Sequence, residues 1–340
     1  MKYALPLFLL IGASQMLFGQ TNPFKDEKIM KDNERRFIVE HKIKEVDEYV
    51  VVPKDSLKTR DSSLICKFYY DKKGNITKTV RHIKMYSAAN REGKDFEEEV
   101  NYAYEYNASG QLSKINYTDN EMPKTYTTTY DYDSRGNLVK QYEAPGILVT
   151  SDPNFMAGIN LFEYDDAGNV TSQKRFYDSG QTPGGITTYT YNSENQLVKS
   201  ASFKGEGLIK TGHKDYQYIA TDKNLTRLED IYNSKDSLKA HNEYVYDANN
   251  NQVKGYNTRK GVKFLVWDYT YNDKNQLTES KGGPSTLVGL DYKDVRRDGL
   301  AHLFYKYDKD DNLIQIKKYE TDVNGMEKLT AIEKLVYKKY

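Results

Sequence analysis

Apolar and polar residues alternate with period two through most of this chain, in short runs broken by small polar turns. In Tyr126-x-Thr128-x-Tyr130-x-Tyr132 and Leu265-x-Trp267-x-Tyr269-x-Tyr271 large residues recur at every second position, with Asp131 and Thr270 among the polar residues between them. Side chains two apart share one face of a strand, so each run predicts a strand with one aromatic and one wet face. A fixed turn follows each run, as in Phe68-Tyr-Tyr-Asp-Lys-Lys-Gly-Asn-Ile76, Tyr104-Glu-Tyr-Asn-Ala-Ser-Gly-Gln-Leu112, Tyr130-Asp-Tyr-Asp-Ser-Arg-Gly-Asn-Leu138 and Phe162-Glu-Tyr-Asp-Asp-Ala-Gly-Asn-Val170. Asp or Asn at the first position caps its own backbone, and Gly three later takes the left-handed conformation that sends the chain back as a hairpin. Asn195 and Asn275 hold the Gly position in two later copies. The copies at Tyr216 and Tyr244 carry one extra residue before Asn224-Leu225 and Gln252-Val253, which predicts longer turns there.

The second tyrosines of nine copies stand at 70, 106, 132, 164, 191, 218, 246, 271 and 307, spaced 25 to 36 residues apart, and Tyr337 marks a final half-repeat. Repeats of this length are supersecondary units that stack on their neighbours. The expected organisation is a signal peptide over 1–20, an N-terminal segment with edge strands over 21–66, and a repeat array over 67–340. Within 21–66, Phe37-Ile-Val39 and Tyr49-Val-Val-Val52 read as strands, while 82–100, 143–160 and 279–302 read as long connections. Nine hairpins give about eighteen strands, and at ~4.8 Å each a flat sheet would run to roughly 86 Å. Sheets of that width twist and curl. The expected fold class is all-β: antiparallel hairpin repeats in a curled or spiralling sheet, shell-like or solenoid-like.

The motif Tyr70-Asp71…Gly74-Asn75-Ile76 and its copies resemble the YD repeats of the Rhs family, over roughly residues 67–340. That resemblance implies a spiralling β-sheet that builds a shell, which in the family often encloses a C-terminal toxin. No cargo sequence of that kind follows the repeats here, so the resemblance implies a repeat-only exported protein of the binding or scaffold type.

Charge is balanced, with 50 Lys and Arg against 49 Asp and Glu, which excludes the basic excess of a nucleic-acid binder. Lys2, the apolar run over 4–11 and Leu17-Phe-Gly-Gln20 fit an n-region, an h-region and a cleavage site. Export to the periplasm, the cell surface or the medium follows, with no transmembrane helix after the leader is removed. The single Cys66 excludes an internal disulfide and Cys-rich zinc sites, and reads as a buried strand residue.

Catalytic signatures are missing. The five histidines, His41, His82, His213, His241 and His302, form no H-E-x-x-H pair, and there is no nucleophile elbow or phosphate loop. Asp308-x-Asp310-x-Asn312 begins like a calcium loop, but Leu313 stands where Gly is required. No catalytic residue, metal or cofactor is therefore expected. The tyrosines read first as packing, and contacts to a ligand are expected at Trp267, the only indole, and in the long loops at Phe155, Met156, Arg296 and Arg297. The leading expectation is an exported, non-catalytic binding or structural module of the envelope or extracellular space, with a glycan or another envelope protein as partner. An outer-membrane β-barrel and a carbohydrate-active enzyme stand as alternatives.

Overall fold

The computed structural model describes residues 33–51, 62–87, 90–120, 125–143, 158–177, 183–205, 207–259, 261–282, 301–321 and 326–340. Among the described residues it holds one short helix, α1 (33–40), and twenty antiparallel strands in a single sheet. Each strand pairs with the next in the chain, and β1 (Ile43–Val51) also pairs with β20 (Glu327–Lys339). The sheet is therefore a closed ring with no free edge, where the sequence pattern predicts an open or spiralling sheet. Closure follows from β1, read as an edge strand: its neighbours are β2 (Ser62–Tyr70) on one side and β20 on the other. A sheet edge leaves a row of backbone donors and acceptors unpaired, and β1 removes two edges at once.

Other readings of the N-terminal half also change. Phe37-Ile-Val39 lies in α1 and not in a strand, because Ile38 turns inward at 1% exposure while its neighbours Arg36 and Val39 stay exposed. Segment 82–100 is no loop, since β3 (Ile76–Ser87) pairs with β4 (Asn90–Tyr106) as far as Ser87↔Asn90. The cores of 143–160 and 279–302 lie outside the described residues, as does the expected signal peptide.

The repeat unit is a hairpin with a bulge. In the hairpin of β4 and β5 (Leu112–Asp119), Tyr106 pairs with Leu112, a bulge follows, and Glu105 pairs with Lys114. The turn over 107–111 is held by its first residue. Asn107 Oδ1 accepts from the backbone N–H of Ser109 and of Gln111, at 3.0 and 2.8 Å. Gly110 sits at φ 76°, as the turn requires. Tyrosine hydroxyls tie repeat to repeat: Tyr132, Tyr164, Tyr191 and Tyr218 donate to the carbonyls of Leu112, Leu138, Val170 and Leu197, the first residues of the preceding return strands.

The two faces of the ring differ. Tyr130 and Tyr132 are half-buried while Asp131 between them is exposed. The tyrosine face also carries the densest core, where Cys66, Phe68, Tyr70, Leu277, Tyr305, Leu313 and Leu335 pack with Ile38 of α1. The concave face of a closed sheet is the crowded one, so the tyrosines line the inside. Twenty staves at ~4.8 Å with ~40° tilt would give a round ring a backbone radius of about 20 Å, wider than one layer of side chains fills.

Candidate functional site

The inner wall changes character along the strands. At the turn end it is aliphatic and aromatic, with Leu277 at 2% exposure and Tyr246 at 0%, and Phe37 of α1 sets its ring against Tyr337. Four residues before each second tyrosine, still on the inner face, the chemistry diversifies: Tyr102, Asn160, Lys214, Asn242, Trp267 and Glu333 hold this level. Cys66 and Leu303 share this level, so the wall is mostly apolar at its turn end, Arg227 apart, and mixed further up.

Trp267, the indole expected to contact a ligand, is half-buried on β16 (Val262–Tyr271). Glycines stand opposite it on both neighbours, Gly255 on β15 (Gln252–Arg259) and Gly282 on β17 (Leu277–Gly282). A Cβ at Gly282 would lie 2.1 Å from the Val266 carbonyl oxygen and 2.5 Å from the indole, so only glycine leaves room for the ring there. Tyr269 continues the surface, its ring 6.0 Å away and tilted by only 16°. Phe155, Met156, Arg296 and Arg297 lie outside the described residues, so the structure does not join them to Trp267.

Two polar groups on the wall escape the sequence pattern. The first is on β12 (Ile209–Ala220), β13 (Leu225–Asn233) and β14 (Leu238–Tyr246). There Lys214 reaches the Glu229 carboxylate at 2.8 Å, and Glu229 is only 5% exposed. The Arg227 guanidinium lies over the Tyr244 ring at 4.6 Å and has the Tyr246 ring further off at 5.9 Å. The signal is the extra residue in this copy, which lengthens the strands instead of the turn. β12 runs on to Ala220, the loop shrinks to 221–224, and no bulge forms. At the Tyr244 copy, too, the turn is not long: Asn251 takes the carboxamide position and Gln252 pairs with Tyr246.

The second group lies at the seam. Glu48 of β1 stands opposite Cys66 and Leu335, and Glu333 stands opposite Val50, so the two carboxyls meet diagonally on the inner face. Burial, and then the charge of Glu333, push the Glu48 carboxyl up to about 7. Burial raises Glu333 as well, against the opposing charge of Lys318.

The outer face carries charge in pairs across neighbouring strands. Lys78 meets Glu99 at 2.6 Å, Lys114 meets Glu105 at 2.9 Å, Lys263 meets Glu243 at 2.7 Å, and Lys338 meets Glu45 and Asp47 at 2.6 and 2.9 Å. Three histidines that look scattered in the sequence share one repeat position, five before the second tyrosine: His213, His241 and His302. Each faces acid, and His302 has both ring nitrogens on carboxylates, Glu279 at 2.5 Å and Glu327 at 2.9 Å.

The chain matches no family model and no curated protein. Among solved structures it is similar to a porin-like protein from Bacteroides uniformis ATCC 8492, at 10% identity and a TM-score of 0.36, covering 87% of this chain and 98% of that one. A porin-like protein from Bacteroides vulgatus ATCC 8482 gives 12% identity and a TM-score of 0.28, over 88% and 99%. The structure of TcdB2-TccC3-Cdc42 gives 14% identity and a TM-score of 0.22, over 77% of this chain but 15% of that one. Likenesses this distant assign the chain no function.

Proposed function

We propose that this chain is a β-barrel of the cell envelope that works as a cup, with its inner wall as the functional surface and no catalytic role. The observation that carries this reading is the closed ring of twenty strands. Closure moves the balance away from an open-sheet module and toward a barrel, since a closed sheet has no adhesive edge in water and is the only sheet that can span a membrane. The outer face argues for a water-facing barrel. A lipid-facing wall needs an apolar band, and each Lys or Arg at mid-bilayer costs about 2–4 kcal/mol. Here Lys114, Lys263 and their acidic partners stand on that wall.

A membrane-inserted barrel is the second reading. Ile219, Leu265, Phe304 and Val336 favour it, each more than a third exposed on strands. Expression of the whole chain, residues 1–340, followed by fractionation decides between them. A water-facing cup is released by osmotic shock or alkaline carbonate, stays monodisperse without detergent and gives no conductance in a planar bilayer. Detergent-dependent extraction with stepwise conductance would instead make it a membrane barrel.

A further inference from the structure

We infer that Arg227 on the inner wall binds a ligand's oxyanion, a carboxylate or a phosphate, presented beside the Tyr244 ring. The inference rests on the inner wall being the working surface.

The placement of this arginine comes from the turn. In ordinary copies the basic residue two after the aliphatic points outward, because the bulge shifts the register. Lys114 pairs with Glu105 and Lys140 with Asp131 in this way. In the copy without a bulge, the equivalent Arg227 pairs with Tyr218 and Glu229 with Tyr216, so both turn inward. One missing bulge carries a cation from the outer wall to the inner one.

Among the described residues the cation then makes no direct ion pair, although the Glu229 charge lies near enough to favour it. Its Nε is buried without a hydrogen-bond partner among the described residues. Glu229 sits two residues away on the same strand, but its carboxylate turns to Lys214 at 2.8 Å. The guanidinium keeps ring faces instead, Tyr244 at 4.6 Å and Tyr246 at 5.9 Å. A cation held by aromatic faces keeps its N–H donors directed outward in the plane, where a planar oxyanion accepts two of them side by side. Tyr244 stands in line with Gly255 and Trp267 on the next two strands. A ligand anchored at Arg227 therefore lies level with the Trp267 indole, two strands beyond Tyr244 and across the covered Gly255.

The test is titration of the purified chain with inorganic phosphate, acetate and glucuronate, each followed by calorimetry and by tyrosine and tryptophan emission. One or more of these probes should saturate one site per chain. Arg227→Gln should weaken that probe at least tenfold, while Lys114→Gln on the outer wall leaves it unchanged. A second variant keeps the arginine and moves it: replacing 219–224 by Asp-Ser-Arg-Gly-Asn, the turn after Tyr132, restores the bulge and should abolish binding. Phosphate binding without glucuronate binding identifies a phosphorylated ligand, and the reverse a carboxylated sugar. Equal affinity in Arg227→Gln, or no saturation by any probe in a chain with native near-ultraviolet dichroism, overturns the inference. The cup reading is judged separately, by fractionation and conductance.

Discussion

Five of the described hairpin turns join an Asp to an Asn four residues on, and three join an Asn to a Gln. In the first kind the Asn amide donates to the carboxylate, as Asn137 Nδ2 does to Asp133 Oδ2 at 3.0 Å. In the second the first Asn donates to the Gln carbonyl, as Asn107 Nδ2 does to Gln111 Oε1 at 3.2 Å. The two residues exchange together because each pair needs one donor and one acceptor at the turn's inner corner. Asp133→Asn alone turns the first residue into the donor, as in the Asn–Gln turns, but leaves it facing Asn137, one methylene shorter than the Gln that accepts there. The variant's urea midpoint should fall, and Asn137→Gln in the same chain should recover most of the loss, while Asn137→Gln by itself should not stabilise. Additive effects in that cycle would show that the pair is not coupled. The turn and its capping residue are legible in the sequence, since Asp133 and Gly136 carry the chemistry a turn needs. The coupling is legible too, but only by comparing copies. The same comparison shows that His213, His241 and His302 share a position.

At the scale of the element, a tyrosine hydroxyl adds a link to the hairpin before it, beyond the strand ladder. The Tyr164 hydroxyl donates to the Leu138 carbonyl at 2.7 Å, beside the bulge where the ladder is interrupted. Tyr164→Phe keeps the ring and removes that bond, so it should cost about 1 kcal/mol in chemical denaturation. A cost near zero would leave the tyrosine explained by packing alone. Period-two alternation reveals strands and faces, because only the inner face is crowded. It cannot reveal the bulge, which is a property of the turn and inverts every residue after it. Arg227 therefore looks like Lys114 in sequence and faces the other way in the fold. The helix over 33–40 escapes the pattern because Phe37-Ile-Val39 is too short a run for periodicity to distinguish helix from strand.

For the whole molecule, the seam between β1 and β20 is where closure and charge meet. Burial, with the Glu333 charge beside it, raises the Glu48 carboxyl in the folded ring to about 7 against an ordinary value of 4.5. A raised carboxyl stabilises the fold fully below the unfolded value, and that stability is lost as pH rises through the folded one. The thermal midpoint should therefore fall between about pH 4.5 and 7, by a loss on the order of 2 kcal/mol once partial solvent contact is allowed for. Glu48→Gln should flatten that fall and be more stable than the parent at pH 8. A pH profile unchanged by the substitution would separate Glu48 from the seam. Closure itself is not legible in the sequence, since β1 lacks the repeat motif and nothing local in Tyr49-Val-Val-Val52 names its partner.

The pairing of Val46 with Tyr337 also has a consequence in time. Every other strand meets its neighbour within a few dozen residues of synthesis, so the hairpins zip as they emerge. The first stave must wait for the last. Until β20 arrives the sheet is a ribbon with two adhesive borders, able to join another ribbon as readily as itself. Yield during refolding should then be governed by dilution, with interlocked pairs appearing at high concentration and single rings at low.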